Sequence, residues 1–181
     1  MNISKCDIEG LAILEPKVFG DSRGFFLELW SQPRFEAAGL PADFQQDSMS
    51  YSRRGILRGL HYQNPNPQGK LITVLEGEVF DVAVDLRRSS KTFGKWHSLI
   101  LSGENKKQFY LPPGFAHGFQ VLSEAALFFY KCSQPYSPKD EMSVRWDDPA
   151  LAIPWPLKDP VLSDKDRKGL LLRDVPADRL F

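Results

Sequence analysis

Short runs of β-branched and aromatic residues recur along the whole chain, and Pro and Gly residues separate them. The clearest run is 78–86, in which Phe80, Val82 and Val84 fall on one face of an extended strand and Asp81 and Asp85 on the other. Further strands are predicted at 12–19, 25–30, 44–51, 56–62, 71–75, 97–101, 108–111, 118–122, 127–133 and 143–146. Many short strands without long helices between them are typical of a mainly β sandwich or barrel.

Two short helices are predicted beside these strands. Residues 31–39 begin with a capping Ser31, have Pro33 in the first turn and end at Gly39. Residues 163–169 resemble a shorter capped turn, in which Asp166 stands three positions after Ser163 and fits the acidic position of a capping box. The C-terminal residues mix Leu with charges and could pack on the body of the protein or on a partner subunit.

The composition narrows the range of functions. The chain has 181 residues, of which 42% are hydrophobic and 25% charged, so we expect a single domain, residues 1–181. Lys+Arg and Asp+Glu both number 23, and the zero net charge argues against partners such as nucleic acid or an anionic membrane. A small anionic ligand remains compatible, because a few Arg and Lys side chains in one pocket leave the total unchanged.

Cysteine use and the N-terminal residues indicate the compartment. Cys6 and Cys132 lie in no reactive motif, so we expect both to be buried and unpaired in a reducing cytosol. The N-terminus has no apolar signal-peptide run, and no stretch approaches the ~20 apolar residues of a membrane span. A cytoplasmic protein is therefore expected.

The three histidines are the first candidates for chemistry, but they are scattered, so neither a metal nor another cofactor is expected. His61 is either a structural residue of an apolar strand or a pocket residue, and the nearby cations Arg58 and Lys70 favour the pocket. Arg58 and His61 fall on opposite faces of an ideal strand. A shared pocket therefore needs a bulge at Gly59 or a strand that ends at His61.

The other candidates stay open on local pattern alone. His117, in a segment rich in Pro and Gly, could brace a turn or line a pocket, whereas His97 beside Trp96 is expected at the surface. Phe26 and Glu28 share a strand face. They are either a core aromatic with a solvated carboxylate, or a platform and a polar contact for a nucleotide base.

Several segments in the same order resemble the dTDP-4-dehydrorhamnose 3,5-epimerase family, namely residues 15–26, 57–63, 68–70, 77–87, 114–119, 129–131 and 162–166. Such a set is far more specific than any single motif. The resemblance implies a mainly β fold, a double-stranded β-helix or cupin jelly roll with a few short peripheral helices. It also implies a homodimer, without metal or cofactor, that converts dTDP-4-dehydro-6-deoxyglucose to dTDP-4-dehydro-L-rhamnose for dTDP-rhamnose and O-antigen biosynthesis.

The resemblance also assigns catalytic roles. His61 matches the general base, and Asp166 matches the carboxylate that holds its tautomer. Lys70 matches a residue near the sugar O4, where a cation stabilises the enolate formed when a proton leaves C3 or C5. Tyr130, which would otherwise be interpreted as a core aromatic, matches the acid on the opposite face of the ring. The role of Asp166 overrides its capping interpretation, although the two are compatible.

A substrate-binding set follows from the same resemblance. It has two arginines near the diphosphate, where guanidinium groups suit phosphate oxygens, and aromatic or polar contacts to the base and the sugar. Its members are Arg23, Phe26, Glu28, Gln46, Ser48, Arg58, His117, Phe19 and Tyr136. Ser48 stands where the family usually has Asn, so the exact sugar and base stay open.

Five alternatives remain, of which the first is an epimerase that acts on a related nucleotide 4-keto sugar. A mono-epimerase would act at C3 or C5 alone and add one solvent deuterium instead of two. A 3,4-ketoisomerase has the same fold, a sugar or nucleotide sensor would bind without exchange, and a metal-dependent cupin would lose activity with chelator.

Overall fold

The structure, a computed structural model, describes residues 1–181 and is mainly β. Its thirteen strands, β1–β13, are Asn2–Lys5, Ala12–Glu15, Val18–Asp21, Gly24–Leu27, Gln46–Arg53, Leu57–Gln63, Lys70–Glu76, Glu78–Asp85, Trp96–Ser102, Gln108–Leu111, Phe115–Val121, Ala125–Cys132 and Glu141–Ser143. Two α-helices, Gln32–Ala37 (α1) and Asp164–Arg167 (α2), and two 3-10 turns, Leu172–Asp174 and Ala177–Arg179, complete it. No helix is long and apolar enough to cross a membrane.

The strands form two large antiparallel sheets and one hairpin. The six-stranded sheet has the order β1-β2-β10-β7-β12-β5, and the five-stranded sheet has the order β13-β6-β11-β8-β9. A hydrophobic core lies between the two sheets. It includes Ile72, Phe109 and Phe128 of the first sheet and Val79 and Phe119 of the second. The hairpin β3–β4 pairs with neither sheet. Two antiparallel sheets around one core are the architecture of a jelly roll.

The predicted strand at 78–86 is confirmed over Glu78–Asp85, but both of its faces are buried. Val79 and Ala83 belong to the core between the sheets, while Val82 and Val84 pack under the C-terminal segments. Phe181 is part of that cover, since its ring lies 5.9 Å from the ring of Tyr62. The C-terminal residues therefore pack on the body of the protein.

The structure corrects several boundaries. The predicted strand 12–19 is divided into β2 and β3, because Pro16 stands between them and has no N–H to donate to a ladder. The predicted 143–146 strand ends at Ser143, and β1, a short exposed edge strand, carried no apolar pattern. Both helices are confirmed, although Ser31 makes no side-chain capping bond and Ser163 does.

Two expectations about single residues need revision. Both cysteines are free, as predicted, but only Cys132 is buried and Cys6 is half-buried. His97 is also half-buried instead of lying at the surface, because its ring packs 5.9 Å from that of Phe109.

Candidate active site

A cavity of about 340 Å³ opens between the two large sheets. Strands β5, β7 and β12 of the six-stranded sheet supply one wall, and β6 and β11 of the five-stranded sheet supply the other. Most of the residues singled out from the sequence line this cavity: Gln46, Ser48, Arg58, His61, Lys70, His117, Tyr130 and Tyr136. The structure therefore brings together side chains from six separate parts of the chain.

A β-bulge lets Arg58 and His61 share the cavity. Arg58 pairs with Phe119 and His61 with His117, so two residues of β6 stand opposite the single Gly118 of β11. Gly59 has φ +123°, and a Cβ on it would lie 2.5 Å from the Gly118 Cα. Of the two arrangements left open by the sequence, the structure has the bulge at Gly59, which reverses the strand parity that separated the two side chains.

His61 and Asp166 form the central contact of the site. Asp166 Oδ1 lies 2.5 Å from His61 Nε2, although 105 residues separate them in sequence. The carboxylate also accepts the Ser163 hydroxyl at 2.7 Å. Burial raises the pKa of Asp166, but hydrogen bonds from His61, Ser163 and the Gly59 backbone outweigh it and hold this pKa below its ordinary value. The ionised carboxylate fixes the proton of the imidazole on Nε2 and leaves Nδ1 free to accept one.

The capping role of Asp166 is present as well. Its backbone N–H donates to the Ser163 hydroxyl at 3.1 Å, which caps α2. One short turn thus positions the carboxylate that faces His61, and the two interpretations of Asp166 hold together.

A second histidine–carboxylate pair lies deeper. His117 Nε2 is 3.0 Å from Asp81 Oδ2, and the His117 ring stacks 6.0 Å from that of Phe128. Burial lowers the pKa of His117 although Asp81 opposes the shift. His117 both braces its strand and lines the cavity, so the two roles left open are combined.

Lys70 and Tyr130 stand on the wall opposite His61. Burial lowers the pKa of the Lys70 ammonium, while Cys132, Glu141 and Asp81 act in the other direction. Burial raises the pKa of the Tyr130 phenol, which therefore stays protonated at neutral pH. The cavity has a proton acceptor on one wall and a proton donor with the Lys70 amine on the other.

Four predicted binding residues lie outside the cavity. Phe19, Arg23 and Phe26 are on the hairpin β3–β4, where the two phenylalanines are 53% and 68% exposed. Arg23 forms a 2.6 Å ion pair with Asp21 of the same hairpin. Glu28 follows the end of β4, instead of sharing its face with Phe26, and lies 3.3 Å from Arg34. Within one chain these four do not join the others.

Sequence reasoning missed two charged residues at the cavity mouth. Glu141 accepts the Tyr136 hydroxyl at 2.8 Å and the Lys165 ammonium at 2.7 Å. Lys165 adjoins Asp166 in a segment already recognised, so its position was a usable signal. Glu141 lies on the short edge strand β13 and has no distinguishing pattern.

The fold and the cavity define a jelly-roll protein with paired groups for acid–base chemistry on a small ligand. A family model described as dTDP-4-dehydrorhamnose 3,5-epimerase matches residues 5–174. Proteins of that name from Shigella flexneri and Pseudomonas aeruginosa are 54% and 53% identical, over 93% and 97% of this chain and 94% and 98% of their own. The chain belongs to the dTDP-4-dehydrorhamnose 3,5-epimerase family.

Solved structures agree. A dTDP-6-deoxy-D-glucose-3,5-epimerase from Legionella pneumophila in complex with dTDP-4-keto-L-rhamnose is 54% identical, with a TM-score of 0.96 over 99% of this chain and 96% of that one. A 3'-monoepimerase from Streptomyces bikiniensis in complex with dTDP-quinovose is 36% identical, with a TM-score of 0.88 over 93% and 86%. The predicted cupin jelly roll is confirmed.

Proposed function

We propose that this chain, as one domain, epimerises a dTDP-4-keto-6-deoxyhexose at C3 and C5 and so produces dTDP-4-dehydro-L-rhamnose. The 2.5 Å contact between His61 and Asp166 in a cavity that Tyr130 faces from the other sheet carries the proposal. Full-length identity of about half to epimerases of that name supports the substrate. Free cysteines support a role in the cytoplasm, in the supply of rhamnose for surface polysaccharide such as O-antigen.

The chemistry follows from the two walls. His61 Nδ1 takes the proton from C5 or C3, both of which are acidified by the C4 ketone, and Asp166 stabilises the imidazolium. The electron pair moves onto O4, where the Lys70 ammonium stabilises the enolate. Tyr130 then delivers a proton to the opposite face of the same carbon. Solvent returns the lost proton to the phenolate and removes the one held by the imidazolium.

The binding groups are assigned by their place in the cavity. Arg58 stands at its exposed edge, with Nε bonded to Ser52 Oγ at 3.0 Å, and suits the diphosphate. The predicted sugar-side and base-side contacts Gln46, Ser48, His117 and Tyr136 line the rest.

The hairpin β3–β4, which pairs with neither large sheet, supports a homodimer. Phe19, Phe25 and Phe26 are each more than half exposed, and the hairpin pairs only with itself. Exposed aromatics of this kind mark interaction surfaces. We propose that a partner subunit's hairpin closes the cavity, so that Arg23 and Phe26, with Phe19 and Glu28, act across the dimer. An isologous dimer would then have two such sites.

The activity is tested by NMR in heavy water with dTDP-4-keto-6-deoxyglucose. We expect two solvent deuteriums, at C3 and C5, and none with His61→Asn. Tyr130→Phe should slow inversion more than exchange, because abstraction does not need the phenol. Normal inversion by that variant would contradict its role as the acid.

The dimer is tested by mixing two inactive variants, His61→Asn and Arg23→Ala/Phe26→Ala. After subunit exchange, half of the dimers are mixed and each has one complete site, so about a quarter of wild-type activity should return. If the hairpin serves its own subunit, the mixture stays inactive.

Mono-epimerisation is the second candidate. The similarity to the Streptomyces bikiniensis 3'-monoepimerase and the presence of Ser48 where Asn is usual favour keeping it. A single solvent deuterium in the product would show that the protein is a mono-epimerase.

A further inference from the structure

The hydrogen bonds that lead to Ser48 run in one direction. The backbone N–H of Tyr136 donates to Gln46 Oε1 at 2.8 Å, and because a backbone N–H only donates, the Gln46 amide has a fixed orientation. Its Nε2 therefore donates to Ser48 Oγ at 2.9 Å. Ser48 accepts in this contact, and its own hydroxyl proton is left for another partner.

The partner that faces it is Tyr130. Ser48 and Tyr130 stand directly opposite each other in the β5–β12 ladder, and both side chains line the cavity. Side chains in opposed positions of an antiparallel pair lie within contact range. Burial raises the pKa of Tyr130, and the neighbouring Ser48 hydroxyl acts to lower it.

Three other ionisable groups bear on this phenol. Cys132, on the same strand, and Glu141, on β13, raise the pKa of Tyr130, whereas Arg58 on β6 lowers it. Ser48 is the uncharged neighbour among these influences, so replacing it changes no charge in the cavity.

We propose that Ser48 is a positioning residue for the acid: it donates its hydroxyl proton to Tyr130 Oη and thereby directs the phenol O–H into the cavity. This rests on the role of Tyr130 in the proposed function. A phenol oxygen that accepts from Ser48 has its own proton free for the substrate carbon. After that proton has moved to carbon, the same hydrogen bond stabilises the phenolate until solvent reprotonates it.

The alternative is that Ser48 only contacts the substrate, and kinetics separate the two. For Ser48→Ala we expect kcat to fall about tenfold, equal to about 1.4 kcal/mol, with KM changed less than about twofold. Ser48→Thr keeps the hydroxyl and should restore kcat. A KM increase with unchanged kcat would show a substrate contact and overturn the inference.

A double-mutant cycle tests the route through Tyr130. Without the phenol oxygen Ser48 has no acid to position, so adding Ser48→Ala to Tyr130→Phe should lower inversion by less than about twofold. A further loss as large as that in the wild-type background would mean that Ser48 acts independently, and the inference would be wrong.

A readout without substrate separates this inference from the proposed function. In protein labelled at tyrosine 13Cζ, the resonance missing from Tyr130→Phe reports ionisation of that phenol during an alkaline NMR titration. Its midpoint should rise in Ser48→Ala and not in Ser48→Thr, because the phenolate loses a donor. An unchanged midpoint refutes the hydrogen bond whether or not the protein is active. A shifted midpoint in a protein that adds no deuterium supports the bond and refutes the epimerase.

Discussion

Replacement of Asp166 by Asn tests the central pair with almost no change in shape. The Asp166 side chain is buried and contacts His61 Nε2 at 2.5 Å. In the proposed mechanism, an amide removes the charge that stabilises the imidazolium. Its NH₂ can also donate to Nε2, which moves the ring proton to Nδ1, the nitrogen that must accept from substrate. A hydrogen bond to a charged group contributes about 1.5–3 kcal/mol, or roughly 10–150-fold in rate. With the tautomer change added, we expect kcat to fall more than ~100-fold.

The assay is deuterium incorporation at C3 and C5, measured by NMR together with the midpoint of thermal unfolding. The midpoint should fall modestly, because the variant loses the charge whose pKa the native contacts hold low, but the protein should stay folded, since the α2 cap uses the backbone N–H of residue 166. Asp164→Asn is the matched control, since it makes the same change on an exposed residue of the same helix. Exchange at the wild-type rate in folded Asp166→Asn would refute the claim that this carboxylate sets the base.

Three further changes probe the cation, the bulge and a buried carboxylate. Lys70→Met should lower kcat about 100-fold or more with a smaller effect on substrate binding, because in the proposed mechanism the ammonium acts on the developing enolate; steady-state kinetics measures both effects. Gly59→Ala should lower the thermal midpoint far more than Gly55→Ala, because a Cβ at 59 meets the backbone of Gly118 and one at 55 meets open space. Burial acts to raise the pKa of Asp85. Hydrogen bonds, chiefly from Arg87, outweigh this effect and lower the pKa from 3.8 to about 2. Asp85→Asn should therefore remove about 2 kcal/mol of stability at neutral pH, and urea titrations should show this difference fading as pH falls from about 4 to about 2.

The local pattern was sufficient for most of the strands and for both helices. Alternation and turn residues depend on neighbours in sequence, so Glu78–Asp85 and the cap at Ser163 could be located without tertiary information. The burial of both faces of Glu78–Asp85 could not be predicted from local pattern, because the C-terminal segments that cover its second face are distant in sequence. For the same reason, the burial of the His117–Asp81 pair could not be predicted from local pattern.

The site depended on contacts between distant parts of the chain. Local spacing identified Asp166 as a capping residue, and only resemblance to a family joined it to His61, 105 positions away. The bulge at Gly59 was one of two arrangements that the parity of Arg58 and His61 allowed, and only the β6–β11 register decides between them. The exposure of Phe26 could not be predicted, because an apolar residue in a strand has the same sequence pattern whether it packs in the core or against another subunit.

Hydrogen-bond direction is a property that sequence could not supply. Parity places Gln46 and Ser48 on one face, but it leaves the orientation of the amide undetermined. The Tyr136 N–H sets that orientation from 90 residues away and thereby makes Ser48 an acceptor from Gln46, so that the hydrogen bond we propose runs from Ser48 to Tyr130. Delivery of a proton to one face of a sugar ring depends on the direction of these hydrogen bonds. If the same side chains donated in the reverse direction, the phenol proton would point at Ser48 instead of at the substrate carbon.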